Sequence, residues 1–585
     1  LPLSLSDVTS LRPTFRWQLA PGQDGAILVL CADRPCSRVI EQVATSGVTQ
    51  ARPSNPLTPG SVVYWSLVGR VGEVARQTMS PQWLIHVPAA APVVQLDSSY
   101  HPHADFNGDG YDDLAVGARS ATTMAGLTGS ALIYLGSASG LSLNPVRVLA
   151  GQAVGFELGH AVAAVGDLNG DGYGDFAVSA VNASPGGRLR AGAVYVYHGG
   201  PAGLADNPAR VLEGVDNQDH FGVTLASAGD LNADGYTDMV VGCINSNPRG
   251  LVDAGTASVY YGSAMGVGAT PDVLLAGTRD LEQFGISVAG LGDVNGDGYG
   301  DLVVGSYGAS PGGRTNAGIA SVYYGSASGI AAIASLVLEG PTVNDRFGTG
   351  AASAGDLNGD GYTDLVVGAY LASPMGRMNA GSASLFYGGP SGINSIPSRV
   401  LVGSAPSESF GRAVQGVGDL NADGYGELAV GAYGGSNAGR VNVGTVSIYY
   451  GREVVVAANP SSILAGEDGL GLFGFSIASG HDFDGDGVSE VIVGAHLADP
   501  GTRMDAGTLS IWVPRMGTLP NTPSRLIAGA LSGDQLGFSI AHFVAPSSPT
   551  RRARHRRLAF GAVAAEQRAS CTDGLLRLSD NRCTQ

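Results

Sequence analysis

Asp356-Leu-Asn358-Gly-Asp360-Gly361-Tyr362-Thr-Asp364 is the stretch on which the reading of this 585-residue chain turns, because it returns at a fixed interval. Its copies begin at Asp105, Asp167, Asp230, Asp293, Asp356, Asp419 and Asp482; the first interval is 62 residues and the next five are 63. Such a period marks a repeat architecture in which each copy is one structural unit. Oxygen-bearing side chains stand at the first, third, fifth and ninth positions, and a glycine stands at the sixth, where the chain turns sharply. That spacing wraps a short loop around a hard cation, and calcium, which accepts six to eight oxygens in loose geometry, fits better than magnesium.

The expected ligands follow from the spacing, with a backbone carbonyl at the seventh position. They are Asp105, Asn107, Asp109, Tyr111 and Asp113 in the first loop, then Asp167, Asn169, Asp171, Tyr173 and Asp175 in the second. The third has Asp230, Asn232, Asp234, Tyr236 and Asp238; the fourth has Asp293, Asn295, Asp297, Tyr299 and Asp301. The fifth has Asp356, Asn358, Asp360, Tyr362 and Asp364, and the sixth has Asp419, Asn421, Asp423, Tyr425 and Glu427. The seventh departs most, with Asp482, Asp484, Asp486, Val488 and Glu490. An EF-hand needs a bidentate glutamate at position twelve and flanking helices. Here the loop runs straight into Leu365-Val-Val-Gly368, an apolar β segment, so that reading fails. With all ligands on one local loop and no open coordination position, calcium is expected to be structural, about seven ions per chain, and not catalytic.

Phe-Gly pairs precede most loops, as at Phe221-Gly222, Phe284-Gly285, Phe347-Gly348, Phe410-Gly411 and Phe473-Gly474, and Gly-Ala or a near variant follows them. At these residues the chain resembles the FG-GAP repeats of integrin α subunits over about residues 100–565. The resemblance implies an all-β, seven-bladed β-propeller with calcium loops between the first and second strands of its blades, used mainly for extracellular binding. In the fourth copy the expected strands are Phe284 to Val288, Leu302 to Gly305, Ala320 to Tyr324 and Leu336 to Glu339, four per blade. The late segment Leu536-Gly537-Phe538-Ser-Ile-Ala541 is expected to complete the first blade and leave no open edge. A second-strand remnant at residues 557–565 competes with Leu114-Ala-Val-Gly117 for the same place, so an eighth blade stays open at this point.

Residues 1–90 carry no such loop. Short β runs such as Ala26-Ile-Leu-Val-Leu30 and Ser61-Val-Val-Tyr64-Trp65 between Pro and Gly turns indicate a small β-sandwich. Leu57-Thr-Pro59-Gly60 before Val63-Tyr64-Trp65, with Trp17, is similar to fibronectin type III modules. The expected organisation is therefore 1–90 sandwich, 91–99 linker, 100–565 propeller and 566–585 tail.

Composition narrows the functional classes. The net charge of −18 argues against nucleic-acid partners, and about seven calcium ions would offset most of it. All 32 basic residues are arginine, and no apolar run is long enough to span a bilayer. The chain begins at Leu1, so a signal peptide is read as removed or never present. Cys31 with Cys36 and Cys571 with Cys583 are read as two short disulfides, leaving Cys243 as a buried thiol; this points to an oxidising, extracellular or cell-surface setting.

Arginine recurs between the second and third strands at Arg188, Arg314, Arg377, Arg440 and Arg503, with Arg249 nearby in another blade. One reading is a cationic ring for an acidic ligand. The preferred one is pairing between blades with acids of the same face, including Glu213, Asp216, Asp280, Asp345 and Glu408. Tyr260-Tyr261, Tyr323-Tyr324 and Tyr449-Tyr450 are read as packing between blades. The basic run at 551–557 is read as a solvated loop. No His-Glu-x-x-His, Gly-x-Ser-x-Gly or phosphate-loop motif occurs, so the expectation is a non-enzymatic binder of an extracellular protein or glycan. A matrix component and an extracellular polysaccharide-acting enzyme are the alternatives; oligomeric state is not legible.

Overall fold

The computed structural model describes residues 6–541, apart from 9–11, 88–98, 485–487 and some single residues and pairs. The linker at 91–99 falls largely on undescribed residues. The strand remnant at 557–565, the basic run at 551–557, the Cys571 and Cys583 pair and the 566–585 tail all lie outside the described residues.

The described chain is all β with short 3-10 turns and no α-helix among the described residues. Seven four-stranded antiparallel sheets follow the repeat. In the fourth, Phe284–Gly292, Asp301–Ser306, Ile319–Tyr323 and Leu336–Glu339 pair in order. The first strand runs four residues further than expected because Gly290 and Gly292 pair across a bulge that delivers the chain into the acidic loop. Second strands such as Asp301–Ser306 are buried throughout, which is why they read as continuous apolar runs. Fourth strands such as Leu336–Glu339 alternate, with Leu338 inside and Val337 exposed.

Each sheet buries its face against the next. Leu291 and Val322 of the fourth sheet share one cluster with Phe347, Leu365, Val367 and Phe386 of the fifth. The same packing joins the seventh sheet to the first: Ile492 and Ile511 cluster with Leu114, Val116 and Leu536. Leu536–Ile540 lies beside Leu114–Ala118, with Val116 opposite Ile540 and the Ala541 N–H donating to the Ala115 carbonyl at 3.0 Å. The first sheet is thus built from both ends of the repeat region, and its second strand is Leu114–Ala118.

The N-terminal region forms a separate mixed sheet in the order Val39–Ala44, Gly25–Cys31, Val62–Val71, Trp83–His86, Ser6–Val8, Ser99–Pro102. Val74–Met79 also pairs with Val62–Val71, and a two-stranded ribbon joins Phe15–Arg16 to Gln50–Ala51. The sheet reaches Pro102, past the boundary expected at residue 100, because Ser99–Pro102 pairs with Ser6–Val8. Alternation along its strands gives it two faces. Leu28, Leu30, Val63, Trp65 and Ile85 pack with Phe15 of the ribbon, while Val29, Cys31, Tyr64 and Leu84 form a second cluster. Cys31 and Cys36 are disulfide-bonded, and Cys243 is a buried free thiol in the third repeat sheet.

Candidate metal centres

Each acidic loop is folded by its own carboxylates before any ion is considered. In the fifth, Asp356 Oδ1 accepts the N–H groups of Gly359 at 2.6 Å and Asp360 at 3.1 Å, and Oδ2 accepts that of Gly361 at 2.8 Å. Asn358 Oδ1 accepts from Asp360 at 3.0 Å, and Asp360 Oδ1 from Tyr362 at 3.0 Å. These side chain to backbone turns are the local competition to regular structure that Asp and Asn favour. The sixth position, Gly361, has φ of +93°, which glycine alone adopts without strain. The first six loops repeat the main turns within a few tenths of an ångström.

The ninth carboxylate does something the spacing does not reveal. Asp364 is fully buried and accepts two backbone N–H groups, from Leu357 of its own loop at 2.9 Å and from Gly388 after the third strand at 3.0 Å. Asp113, Asp175, Asp238 and Asp301 make the same pair of bonds. The residue read as a ligand is therefore also a staple between the loop and the turn joining strands three and four. A signal existed in the glycine that follows each third strand, at Gly136, Gly199, Gly262, Gly325 and Gly388.

The electrostatics of these loops call for a cation. Burial, and after it the first-position carboxylate, pushes Asp113, Asp175, Asp238 and Asp364 well above the usual carboxylate range. Burial also raises Asp105 and Asp167 to about 7, Asp230 and Asp356 to about 6, and Asp301 to about 8. In the sixth loop Asp419, Asp423 and Glu427 bring one oxygen each within 4.8 Å of one another. Glu427 is buried, its Oε2 accepts the Leu420 N–H, and its Oε1 makes no hydrogen bond. A donor set made only of oxygens, with a buried oxygen lacking a bond, fits a hard divalent ion and not a soft one. Such an ion would supply the positive charge that lets these carboxylates stay ionised when buried. In the seventh loop Glu490 Oε2 accepts the Phe483 N–H at 3.0 Å, the bond within the loop, while Pro514 stands where the other sheets have the donor glycine; Asp486 lies outside the described residues.

Neighbouring loops are bonded to one another. The eighth-position N–H donates to the first-position carbonyl of the preceding loop: Gly174 to Asp105 at 2.8 Å, Thr237 to Asp167 at 3.1 Å, Gly300 to Asp230 at 2.7 Å and Gly426 to Asp356 at 2.9 Å. Asp112 donates to Asp482 at 3.2 Å, which ties the first loop to the seventh. The seventh-position tyrosine packs on the fourth-position glycine of the loop before it. A Cβ at Gly170, Gly296 or Gly359 would lie 2.6 to 2.8 Å from the ring of Tyr236, Tyr362 or Tyr425. Tyrosine at that position thus lays its ring on the neighbouring loop.

The N-terminal sheet rests on the first two loops. Trp83 Nε1 donates to the Gly170 carbonyl at 2.7 Å, and Arg34 donates to the Gly172 carbonyl while its guanidinium lies 3.9 Å from the Tyr173 ring centre. A Cβ at Gly110 would lie 3.4 Å from the Tyr64 hydroxyl.

The recurrent arginines stand at the far ends of the sheets. Arg188 and Arg314 pair with Glu213 at 2.7 Å and Glu339 at 2.6 Å, the last residues of the fourth strand of their own sheets. The pairing is within a sheet, a correction to the expectation of pairing between blades; strand four ends beside the two-to-three loop of its own sheet. Asp280, Asp345 and Glu408 instead accept loop N–H groups of Val252, Thr342 and Ser404. Arg440 donates to the Glu467 carbonyl at 3.4 Å, Arg503 to that of Pro500 at 3.4 Å, and Arg377 Nε is buried with no partner. Arg249 occupies the left-handed centre of its turn, so Leu251 stands where the other sheets have arginine. Tyr261 and Tyr324 do bridge sheets, their hydroxyls accepting the N–H groups of Ile330 at 3.0 Å and Ile393 at 2.9 Å.

The FG-GAP repeat model matches residues 103–135, 158–197, 284–323, 347–386, 410–449 and 473–512. The third repeat is not among them, although Thr224–Gly229 and Asp238–Cys243 form the same sheet around the same loop. Chicken (Gallus gallus) integrin α-V is 34% identical over 240 residues, 38% of this chain and 22% of that protein. Integrin α-5 of Xenopus laevis is 31% identical over 252 residues, 42% of this chain and 22% of that protein. Phosphatidylinositol-glycan-specific phospholipase D of Bos taurus is 36% identical over 168 residues, 27% of this chain and 20% of that protein. The chain thus spans about a fifth of the length of these relatives. A solved periplasmic gluconolactonase of Pseudomonas aeruginosa aligns at a TM-score of 0.39 and 13% identity, covering 72% of this chain and all of that one. The chain thus carries segments that match the FG-GAP repeat and is similar in sequence to integrin α subunits over part of its length.

Proposed function

We propose that the chain is a calcium-stapled, seven-bladed FG-GAP propeller that recognises an extracellular protein without catalysis, carried with a small fibronectin type III-like sandwich. The carrying observation is the hydrogen-bonded succession of acidic loops, in which the seventh is bonded to the first and the sixth gathers three carboxylate oxygens within 4.8 Å of one another. Seven sheets whose last packs on the first favour a ring of seven blades over eight. The ions rigidify one face, and the sheet ends opposite are left for recognition. The N-terminal sheet and its ribbon close on a common core, which supports the sandwich reading. The Cys31 and Cys36 disulfide supports an oxidising compartment. No described helix is long and apolar enough to cross a membrane. The similarity to integrin α subunits supports a protein partner; that to the phospholipase covers only a fifth of that enzyme, so it carries no reaction over.

Surface plasmon resonance of the full chain against a panel of extracellular matrix proteins, in calcium and in EDTA, tests the reading. Saturable binding that is lost in EDTA is expected. Turnover of a glycosidic or phosphodiester substrate by the calcium-loaded chain, with no protein bound, would overturn it.

A further inference from the structure

The face away from the acidic loops carries a cluster that the loops do not explain. The residue after the glycine that opens a first strand is His160, Arg412, Phe475 or Phe538, and the residue after a second strand is Arg119, Tyr307, Tyr370, Tyr433 or His496. These positions from six sheets converge. Phe475 lies 4.5 Å from His496 and 5.4 Å from Phe538, His160 lies 5.0 Å from Phe538, and Tyr433 6.3 Å from Phe475, all between ring centres. Except for His496 the group is partly exposed, so it lines an opening and is not a sealed core.

Two guanidinium groups enter this cage. Arg119 lies 3.8 Å from the Phe538 ring centre and its Nε donates to Gln535 at 2.8 Å, with Glu157 as the nearby acid. Arg412 lies 4.9 Å from the Phe475 ring centre and makes neither a hydrogen bond nor an ion pair among the described residues. The groups acting on it electrostatically are Tyr307, Tyr370 and Tyr433, none of them a carboxylate. Burial and the two arginines hold His496 down to about 4, so it adds no charge at neutral pH. One aromatic face does not replace the five donors of a guanidinium or offset its desolvation. The planar fork of Arg412 is thus an open bidentate site for an oxyanion, set among phenol hydroxyls.

We infer that this central cage takes a carboxylate, presented by an acidic side chain of the protein partner, with Arg412 as its bidentate receptor. The inference rests on the recognition reading above for the class of partner. An acidic side chain suits the opening better than a sugar acid, because His496 stands edge to face on Phe475 and Phe538, which are themselves tilted on each other, and the rings present no flat platform for a pyranose.

The test is calorimetric titration of the full chain in calcium with N-acetyl-glutamate amide, its neutral glutamine analogue and D-glucuronate. The glutamate probe is expected to bind at least tenfold more tightly than the glutamine one, with Arg412→Gln abolishing the difference and Arg188→Gln leaving it intact. Equal binding of the two amides, or preference retained in Arg412→Gln, would overturn the site; the comparison on the unmodified chain stands even if Arg412→Gln does not fold. Glucuronate binding tenfold tighter than the glutamate probe would overturn the protein partner in favour of a glycan. Failure of all three probes while calcium-dependent binding to a matrix protein persists would remove the cage and leave the recognition reading standing. Failure of both would remove the two together.

Discussion

Two carboxylates of the fifth loop separate what the fold needs from what the ion needs. Asp364, itself fully buried, accepts the N–H groups of Leu357 and Gly388, whereas Asp360 accepts from Tyr362 at the partly exposed rim. A buried N–H left without its acceptor costs about 1 to 3 kcal/mol, so Asp364→Ala, which strips two of them, should cost roughly 2 to 6 kcal/mol even in EDTA. That is a large fraction of the 5 to 15 kcal/mol by which domains are usually stable. Asp360→Ala should cost under about 1 kcal/mol in EDTA, because water replaces an exposed bond, and should cost more in calcium, where a ligand is lost. Urea unfolding of both variants with and without calcium gives the four numbers, and amide exchange at Leu357 and Gly388 should accelerate only in Asp364→Ala. If Asp364→Ala costs no more than Asp360→Ala in EDTA, the ninth carboxylate is only a ligand and the staple is refuted.

Three further outcomes follow from named contacts. Gly296→Val should destabilise by about 1 to 3 kcal/mol in thermal melts, since Gly296 has φ of +76° and a Cβ there would meet the Tyr362 ring at 2.8 Å; a neutral result would contradict the packing of one loop on the next. Arg34→Ala should loosen the N-terminal sheet from the second loop and shift Trp83 fluorescence toward that of exposed indole, while the melting of the repeat sheets stays within a few degrees. Burial pushes the Cys243 thiol up to about 12, so alkylation by iodoacetamide at pH 8 should be negligible until denaturant is added; rapid labelling of the folded chain would contradict its burial.

The loops and the β flanks were legible because their signal is local: five oxygen positions, a glycine and a 63-residue period lie in plain sequence. The closing strand was legible as well, since Leu536-Gly537-Phe538 is a first strand without a loop and Leu114–Ala118 is a second strand without a partner. What escaped were contacts between residues distant in sequence. The second bond of Asp364 is to Gly388, 24 residues on, and the bond between Asp482 and Asp112 spans 370. Arg314 and Glu339 were both visible, but only the three-dimensional register shows that they share one sheet. Arg412 looked like an ordinary charged residue beside a Phe-Gly pair; convergence of six sheets gives it aromatic neighbours.

Calcium as a structural staple of this fold is open to a direct measurement. Thermal unfolding of the full chain in calcium, in magnesium and in EDTA, with bound metal counted by mass spectrometry, tests it most directly. About seven calcium ions per chain are expected, with a melting temperature raised by calcium far more than by magnesium, as a ligand held only by the folded state requires. Few bound ions and the same melting temperature in EDTA would contradict it.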